Sequence, residues 1–342
     1  MVDQDLSLFR DTAPLFSVTE CAAPMPDSDR LWNASSSSEW SNMFERVHQL
    51  SSGVSSLGCG ARPPSLRDIF RQFLDDEIMS NGVELTALHL RLLLHPLQTL
   101  VCQLSQLLSV FSDTLGTRQR TKAVSAASTR CRLEEVQSLL KRWSDLCARY
   151  LRTNPLCPMI QGALVIYHLI SLNAVTSFPD VERLARKEGI DGTYQQLMWM
   201  HKRCISDVEE AIFHSGQVLR LVRSMPANIR PPWWAGAVYR AALVLWTDSL
   251  THTESISPAT GLFPVPGPSF PADALPPDHT LIVRYLNKRE GVPMLTRRDG
   301  SQLSLDNSYN ILAHSIELLD EGIANRFSDG IRNKLDRLSR GG

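Results

Sequence analysis

Apolar residues recur at helical spacing through most of the chain. Leu66, Ile69, Phe70, Phe73 and Leu74 fall three and four apart, directly behind a capping pair at Ser65 and Asp68. The spacing predicts a helix from Ser65 through Glu77. Leu85, Leu88, Leu92, Leu100, Leu104, Leu107, Leu108 and Phe111 keep a wide apolar face, and Pro96 inside the run predicts a kink or a division. Arg132 to Leu151 is amphipathic, with Leu133, Val136, Leu139, Leu140, Trp143, Leu146 and Tyr150 on one side. A helix from Cys157 to about Val175 follows, then a short one from Asp180 to Lys187 that stops before Gly189. One long helix is predicted from Thr193 to about Val222. Another runs from Trp233 to Leu250, with Pro231 and Pro232 suited to its first turn.

The ends and one internal stretch depart from this pattern. Residues 1–30 are interrupted by Pro14, Pro24 and Pro26 and are expected to be extended, packing on the rest through Leu15, Phe16 and Val18. Ser36 with Glu39 three residues on predicts a helix start near Ser36, and Ser51 to Ser65 is a loop by composition. Ser257 to His279 holds seven of the chain's 20 prolines and is excluded as helix or central strand. It is expected to cross the surface, docked by Phe263 and Phe270. Leu281 to Leu286 fits either a helix or a strand. Helix resumes from Asp306 to near Phe327, and a last one spans Ser328 to Leu338. The predicted fold class is all-α: one multi-helix domain over 31–342, fronted by the segment 1–30 and carrying a proline-rich excursion over 257–279.

Composition narrows the function classes. With 43% hydrophobic and 21% charged residues over 342 positions, the chain can bury a large core and is not a disordered polymer. Lys and Arg number 35 against 36 Asp and Glu, a net charge of −1, so no global field draws it to nucleic acid or anionic lipid. Seven scattered cysteines without a C-x-x-C pair argue against a disulfide framework, a zinc ribbon or an iron–sulfur site, and the six of them within apolar stretches or helix faces are expected to act as small buried hydrophobes. Leu92 to Ser112 and Thr153 to Pro179 are uncharged, but Pro, His, Gln and Asn interrupt both. They read as core helices, and no membrane role is expected.

The chemistry-bearing residues form no catalytic constellation. Gly58-Cys59-Gly60 lacks the third glycine and the preceding strand of a dinucleotide loop. No Walker loop, nucleophile elbow or H-E-x-x-H motif occurs, and His89 and His95, six apart, face different sides of a helix. Asp75-Asp76-Glu77 and Glu134-Glu135 read as solvated helix faces. Arg118, Arg120, Lys122, Arg130 and Arg132 could touch phosphate or serve as a weak nuclear-import signal, but read first as a flexible, solvated connection between two helices. His168 and His201 lie on apolar helices and are expected to be hydrogen-bonded core histidines. Catalytic, cofactor-binding and metal-ligating residues are therefore assigned to none, and the chain is not read as an enzyme.

Two segments together resemble a known family. "DSDRLWNASSSSEW" (27–40) is similar to the first signature of the fungal-specific transcription factor domain, and "PPWWAGAVYRAALVLW" (231–246) to its second. The motif residues are Leu31, Trp32, Glu39, Trp40, Pro232, Trp233, Trp234, Tyr239, Arg240 and Trp246. The resemblance covers about Leu15 to Leu338. It implies an all-helical regulatory region, the middle homology region, of a nuclear transcription regulator controlling a metabolic or biosynthetic gene set. In the family this region follows a zinc DNA-binding module, for which these 342 residues supply no ligand pairs. Zinc is thus expected only in a module outside them, and DNA is expected to be contacted indirectly or through that module. Other transcription regulators, or a homo- or heterodimer partner, are the implied partners, with a small effector between helices as a further possibility. An inhibitory dimerisation partner of a full-length relative and an all-α enzyme stand as alternatives. Trp32, Trp40, Trp233, Trp234 and Trp246 are expected to anchor the core, and Arg240 to pair with a buried carboxylate.

Overall fold

Reciprocal capping starts one of the first helices. Ser65 Oγ accepts from the Asp68 amide at 3.2 Å while the Asp68 carboxylate accepts from the Ser65 amide and hydroxyl. The computed structural model describes residues 1–27, 29–52, 63–80, 85–113, 126–187, 194–253 and 267–340. Its helices are α1 (Val2–Arg10), α2 (Asp29–Trp32), α3 (Ser37–Ser52), α4 (Leu66–Leu74), α5 (Glu77–Ser80), α6 (Ala87–Asp113) and α7 (Ala126–Thr153). There follow α8 (Pro158–Val175), α9 (Phe178–Ala185), α10 (Tyr194–Cys204), α11 (Val208–Ser224), α12 (Trp234–Thr253), α13 (Thr280–Lys288), α14 (Ser308–Asp320) and α15 (Arg326–Arg340). The described residues are 70% helical, in agreement with the predicted class.

Helix α8 lies at the centre. It is apolar on every side, from Ile160 through Val165, Ile166 and Leu169 to Leu172, and a helix of that kind must be enclosed. It packs on α6, α7, α11 and α12; α11 in turn packs on α12, and α12 on α9, α10, α14 and α15. Among the described residues α8 alone is long and apolar enough to cross a membrane, and 61% of it is buried inside the fold. Pro96 does not divide α6. Leu93, Leu94 and Leu97 beside it are completely buried, and that packing carries the helix past the lost backbone bond.

Three further expectations are corrected. The first ten residues are not extended. Helix α1 buries Gln4, Ser7 and Leu8, and Gln98 Nε2 donates to Gln4 O at 3.0 Å and Ser7 Oγ at 2.9 Å. Leu15 and Phe16 face solvent, leaving Val18 partly packed. The long helix expected after Thr193 is two, because Ile205 and Ser206 pair with the chain at Thr176. The Ser206 amide donates to Val175 O at 2.8 Å, and Asp207 then caps α11 by accepting from the Glu210 amide at 3.0 Å. The helix expected to end near Phe327 stops at Asp320, and α15 begins at Arg326.

The proline-rich stretch ends in a small sheet that the sequence pattern does not announce. Strands β1 (Ser269–Pro271), β2 (Val292–Thr296) and β3 (Gln302–Ser304) lie in the order β1-β2-β3, with β1 parallel and β3 antiparallel to β2. Proline is tolerated in β1 because the strand is an edge. Phe270 is buried as expected, against Phe213, Ile282 and Tyr285, and Leu281 to Leu286 lies in helix α13. The sheet seats on α11 at Gly216, where a Cβ would fall 2.7 Å from the Ala272 carbonyl, so only glycine allows this approach. Phe263, Gly189, Cys59, Arg118, Arg120 and Lys122 lie outside the described residues. Of the described cysteines, Cys147 and Cys204 are buried while Cys131 is exposed on α7, where its neighbours are polar.

Candidate functional site

The two motif segments separate in space and in character. In the first, Ser36 Oγ accepts from the Glu39 amide at 3.2 Å, and the Glu39 carboxylate accepts from the Ser35 hydroxyl at 2.6 Å and the Ser35 amide at 2.9 Å. These Ser35 bonds hold the Glu39 carboxyl below its ordinary range. Leu31 is buried, but Trp32 is 90% exposed and Trp40 45% exposed, stacked on Phe44 at 5.0 Å. The expectation that Trp32 and Trp40 anchor the core is therefore corrected. Helix α3 packs chiefly on the four-residue α2, so its aromatic side has no core to enter. The result is an exposed aromatic surface.

The second segment is built into the core. Trp234 and Trp246 are buried, Trp233 is half-buried and tilted on Phe9 at 5.9 Å, and Pro232 is exposed. Trp234 fits because Gly322 faces it; a Cβ there would lie 2.3 Å from its ring. Arg240 is 2% exposed and donates to Asp11 Oδ1 at 2.9 Å and Asn173 Oδ1 at 3.1 Å. Its guanidinium lies 4.1 Å from the Phe178 ring centroid and 5.6 Å from that of Phe9. The expected carboxylate partner is thus Asp11, the partly exposed residue that ends α1 in a left-handed conformation. One side chain of α12 joins α1, α8 and α9.

Buried histidines form polar joints between helices, as expected for His168 and His201. His168 Nδ1 and His214 Nδ1 are 2.9 Å apart, and His214 Nε2 lies 3.1 Å from Glu210 Oε2. The His214 bond holds the Glu210 carboxyl low, and burial pushes His168 well below its ordinary value, so His168 is neutral. A consistent assignment has His214 donating to Glu210 and His168 donating to His214. His201 Nε2 lies 3.1 Å from Asp248 Oδ1, and His252 reaches the other carboxylate oxygen at 3.4 Å. Burial raises the Asp248 carboxyl, but these two imidazoles outweigh it and hold it below its usual range. Asp273, missed in the sequence, accepts from Arg223 at 3.0 Å and the Thr296 amide at 2.8 Å, tying the sheet to α11.

Tyr239 lines a cleft of about 400 Å³ between α9, α12 and α15, and donates to Glu182 Oε1 at 2.8 Å. A second cleft of about 230 Å³ lies between Phe73, Ile78, Arg142 and Leu146, where Arg142 pairs with Asp76 at 2.6 Å. Asp76 is therefore ion-paired rather than merely solvated. The buried histidines line neither cleft. Among the described residues no group of three His, Cys, Asp or Glu side chains could hold a metal ion.

Comparison with known proteins finds relatives over the whole chain. A protein of Zymoseptoria tritici named as a transcription factor is 62% identical over 357 residues, covering 100% of this chain and 36% of the relative. Transcription factor 1 of Elsinoe fawcettii is 53% identical, over 99% of this chain and 35% of its own. Transcription factor PfmaH of Pestalotiopsis fici is 39% identical, over 99% and 34%. The chain is thus homologous to fungal transcription factors and spans about a third of the length of these relatives. No family model and no solved structure matches it.

Proposed function

We propose that this chain is the regulatory region of a nuclear fungal transcription regulator, acting by protein contacts on a metabolic or biosynthetic gene set. The observation that carries the reading is 62% identity along its full length to a protein named as a transcription factor. The chain's net charge of −1 supports assigning sequence-specific DNA recognition to other parts of the longer protein. The exposed Trp32 and the Trp40–Phe44 stack are the surface through which a protein partner is engaged. Exposed tryptophans of this kind supply large contact areas at interfaces.

The chain fused to a heterologous DNA-binding domain tests this in a fungal reporter strain. Reporter output is expected to change relative to the DNA-binding domain alone. The Trp32→Ala/Trp40→Ala double variant is expected to lose that change at equal protein level. Output indistinguishable from the bare DNA-binding domain overturns the regulatory reading; full output from the double variant overturns the role of the aromatic surface.

A further inference from the structure

The cleft beside Tyr239 has a charge and shape that the packing of the fold does not require. Its floor is apolar, formed by Leu243 of α12 and Leu338 of α15 with the Tyr239 ring, and its rim carries Arg186, Lys187, Lys334 and Arg337 against one carboxylate, Glu182. That carboxylate is already engaged. It accepts from the Tyr239 hydroxyl at 2.8 Å and from Arg186 at 2.8 Å. Burial, reinforced by Glu182, raises Tyr239 above its ordinary value, so the phenol keeps the proton it donates. Lys334 and Arg337 stand three residues apart on one side of α15, and the Lys334 ammonium lies 5.2 Å from the Tyr239 ring centroid. The neighbouring acids of α15 and α14 are committed elsewhere, Asp336 to Arg340 and Asp320 to Arg332.

Cations at helix C-termini are favoured by the helix dipole, and α9 and α15 both end here. The dipole accounts for the sign of the charge. It does not account for an apolar-floored concavity of about 400 Å³, which lies within the size range of small-molecule sites. We infer that the cleft between α9, α12 and α15 binds a small amphipathic organic anion. Its apolar body lies on Leu243, Leu338 and the Tyr239 ring, and its acid group is paired with Lys334 and Arg337. The inference rests on the regulatory reading only in calling such a ligand an effector: dye binding tests the cleft, while the reporter assay tests the regulation.

The probe is 8-anilinonaphthalene-1-sulfonate, an aromatic monoanion whose fluorescence reports binding, compared with its neutral analogue N-phenyl-1-naphthylamine on the intact chain. One saturable site for the anion is expected. Lys334→Glu/Arg337→Glu is expected to weaken it by about tenfold or more, since two favourable charge contacts become repulsive. The neutral analogue should change less than about twofold, because its contacts are apolar. Glu182→Gln, which removes the one carboxylate of the cleft lining while leaving an acceptor for Tyr239, is expected to tighten the anion about threefold, a gain that misfolding cannot imitate. Arg152→Glu on α7 controls for net charge and should change neither dye. If the reversed pair does not fold by circular dichroism, Lys334→Gln/Arg337→Gln takes its place, with a loss in the same direction. Unchanged anion binding in the charge variants, equal loss of both dyes, or competition by millimolar inorganic phosphate as strong as by 2-naphthoate would overturn the proposal.

Discussion

Arg240 shows what a single buried cation does in an otherwise apolar helix. Taking a guanidinium out of water is costly, and the cost is offset only by Asp11, Asn173 and the two aromatic faces together. Arg240→Ala leaves Asp11 and Asn173 without their partner and a hole behind Phe178, so a loss of about 3 kcal/mol is expected in urea unfolding. Arg240→Lys should recover little of it, because an ammonium cannot bridge two acceptors while lying flat on a ring. Recovery of more than half by lysine would show that charge alone matters there. The tryptophans divide in the same way. Trp246→Ala should cost about 3–5 kcal/mol. Trp32→Ala, at a side chain 90% exposed, should stay within about 0.5 kcal/mol. A large loss at Trp32 would place it in contact with the core, contrary to the geometry.

At the level of elements, the break between α10 and α11 is a designed stop rather than a frayed joint. Asp207→Ala removes the side chain that accepts from the Glu210 amide and should lower stability by about 1 kcal/mol. Hydrogen exchange should speed up selectively in the first turn of α11; uniform exchange across the chain would argue against a local cap. The signals for α4, α7, α8 and α12 are plain in the sequence because each carries a long apolar face or a local cap. The α10–α11 break is not legible in the sequence, since Ile205 is apolar and in phase, and its pairing with Thr176 is a long-range choice. Helix α1 leaves no apolar signal because what it buries is largely polar, Gln4 and Ser7, which apolar periodicity cannot register. Strands of three and five residues are likewise too short for alternation to stand out. Of the candidate site, the core half around Arg240 was legible as a charge inside an apolar run. Composition cannot say that a tryptophan on a short helix lacks a core to enter, so Trp32 and Trp40 were not.

Across the whole molecule, buried histidines at helix junctions make the fold sensitive to acid. His168 is enclosed by α8 and α11, facing His214 and Phe213, with Arg220 and Glu210 as the nearby charges. Burial keeps it neutral in the folded state, and burial lowers His89 and His95 in the same direction. Above about pH 6.5 such a histidine is neutral whether folded or unfolded and contributes no pH dependence. Below that, the unfolded chain takes up a proton that the folded chain refuses, so stability falls by up to about 1.4 kcal/mol per pH unit for each such histidine. His252 works in the opposite sense. Its bond to Asp248 raises it, adding stability at low pH that is lost as pH rises through its folded value. The carboxyl of Asp5, raised by burial, acts in the same sense as His252, whereas the lowered carboxyls of Glu210 and Asp248 add their loss only at still lower pH. Urea unfolding should therefore give a free energy that falls as pH drops from 6.5 to 5, with only the loss of the His252 contribution on the alkaline side. His168→Asn keeps a donor near the Nδ1 position but cannot titrate. It should be less stable than the native chain at pH 8, yet lose about 1 kcal/mol less on going from pH 8 to pH 5.5. An identical pH 8 to pH 5.5 loss in the two proteins would mean that His168 is not held neutral, and the acid sensitivity would then have to come from other joints.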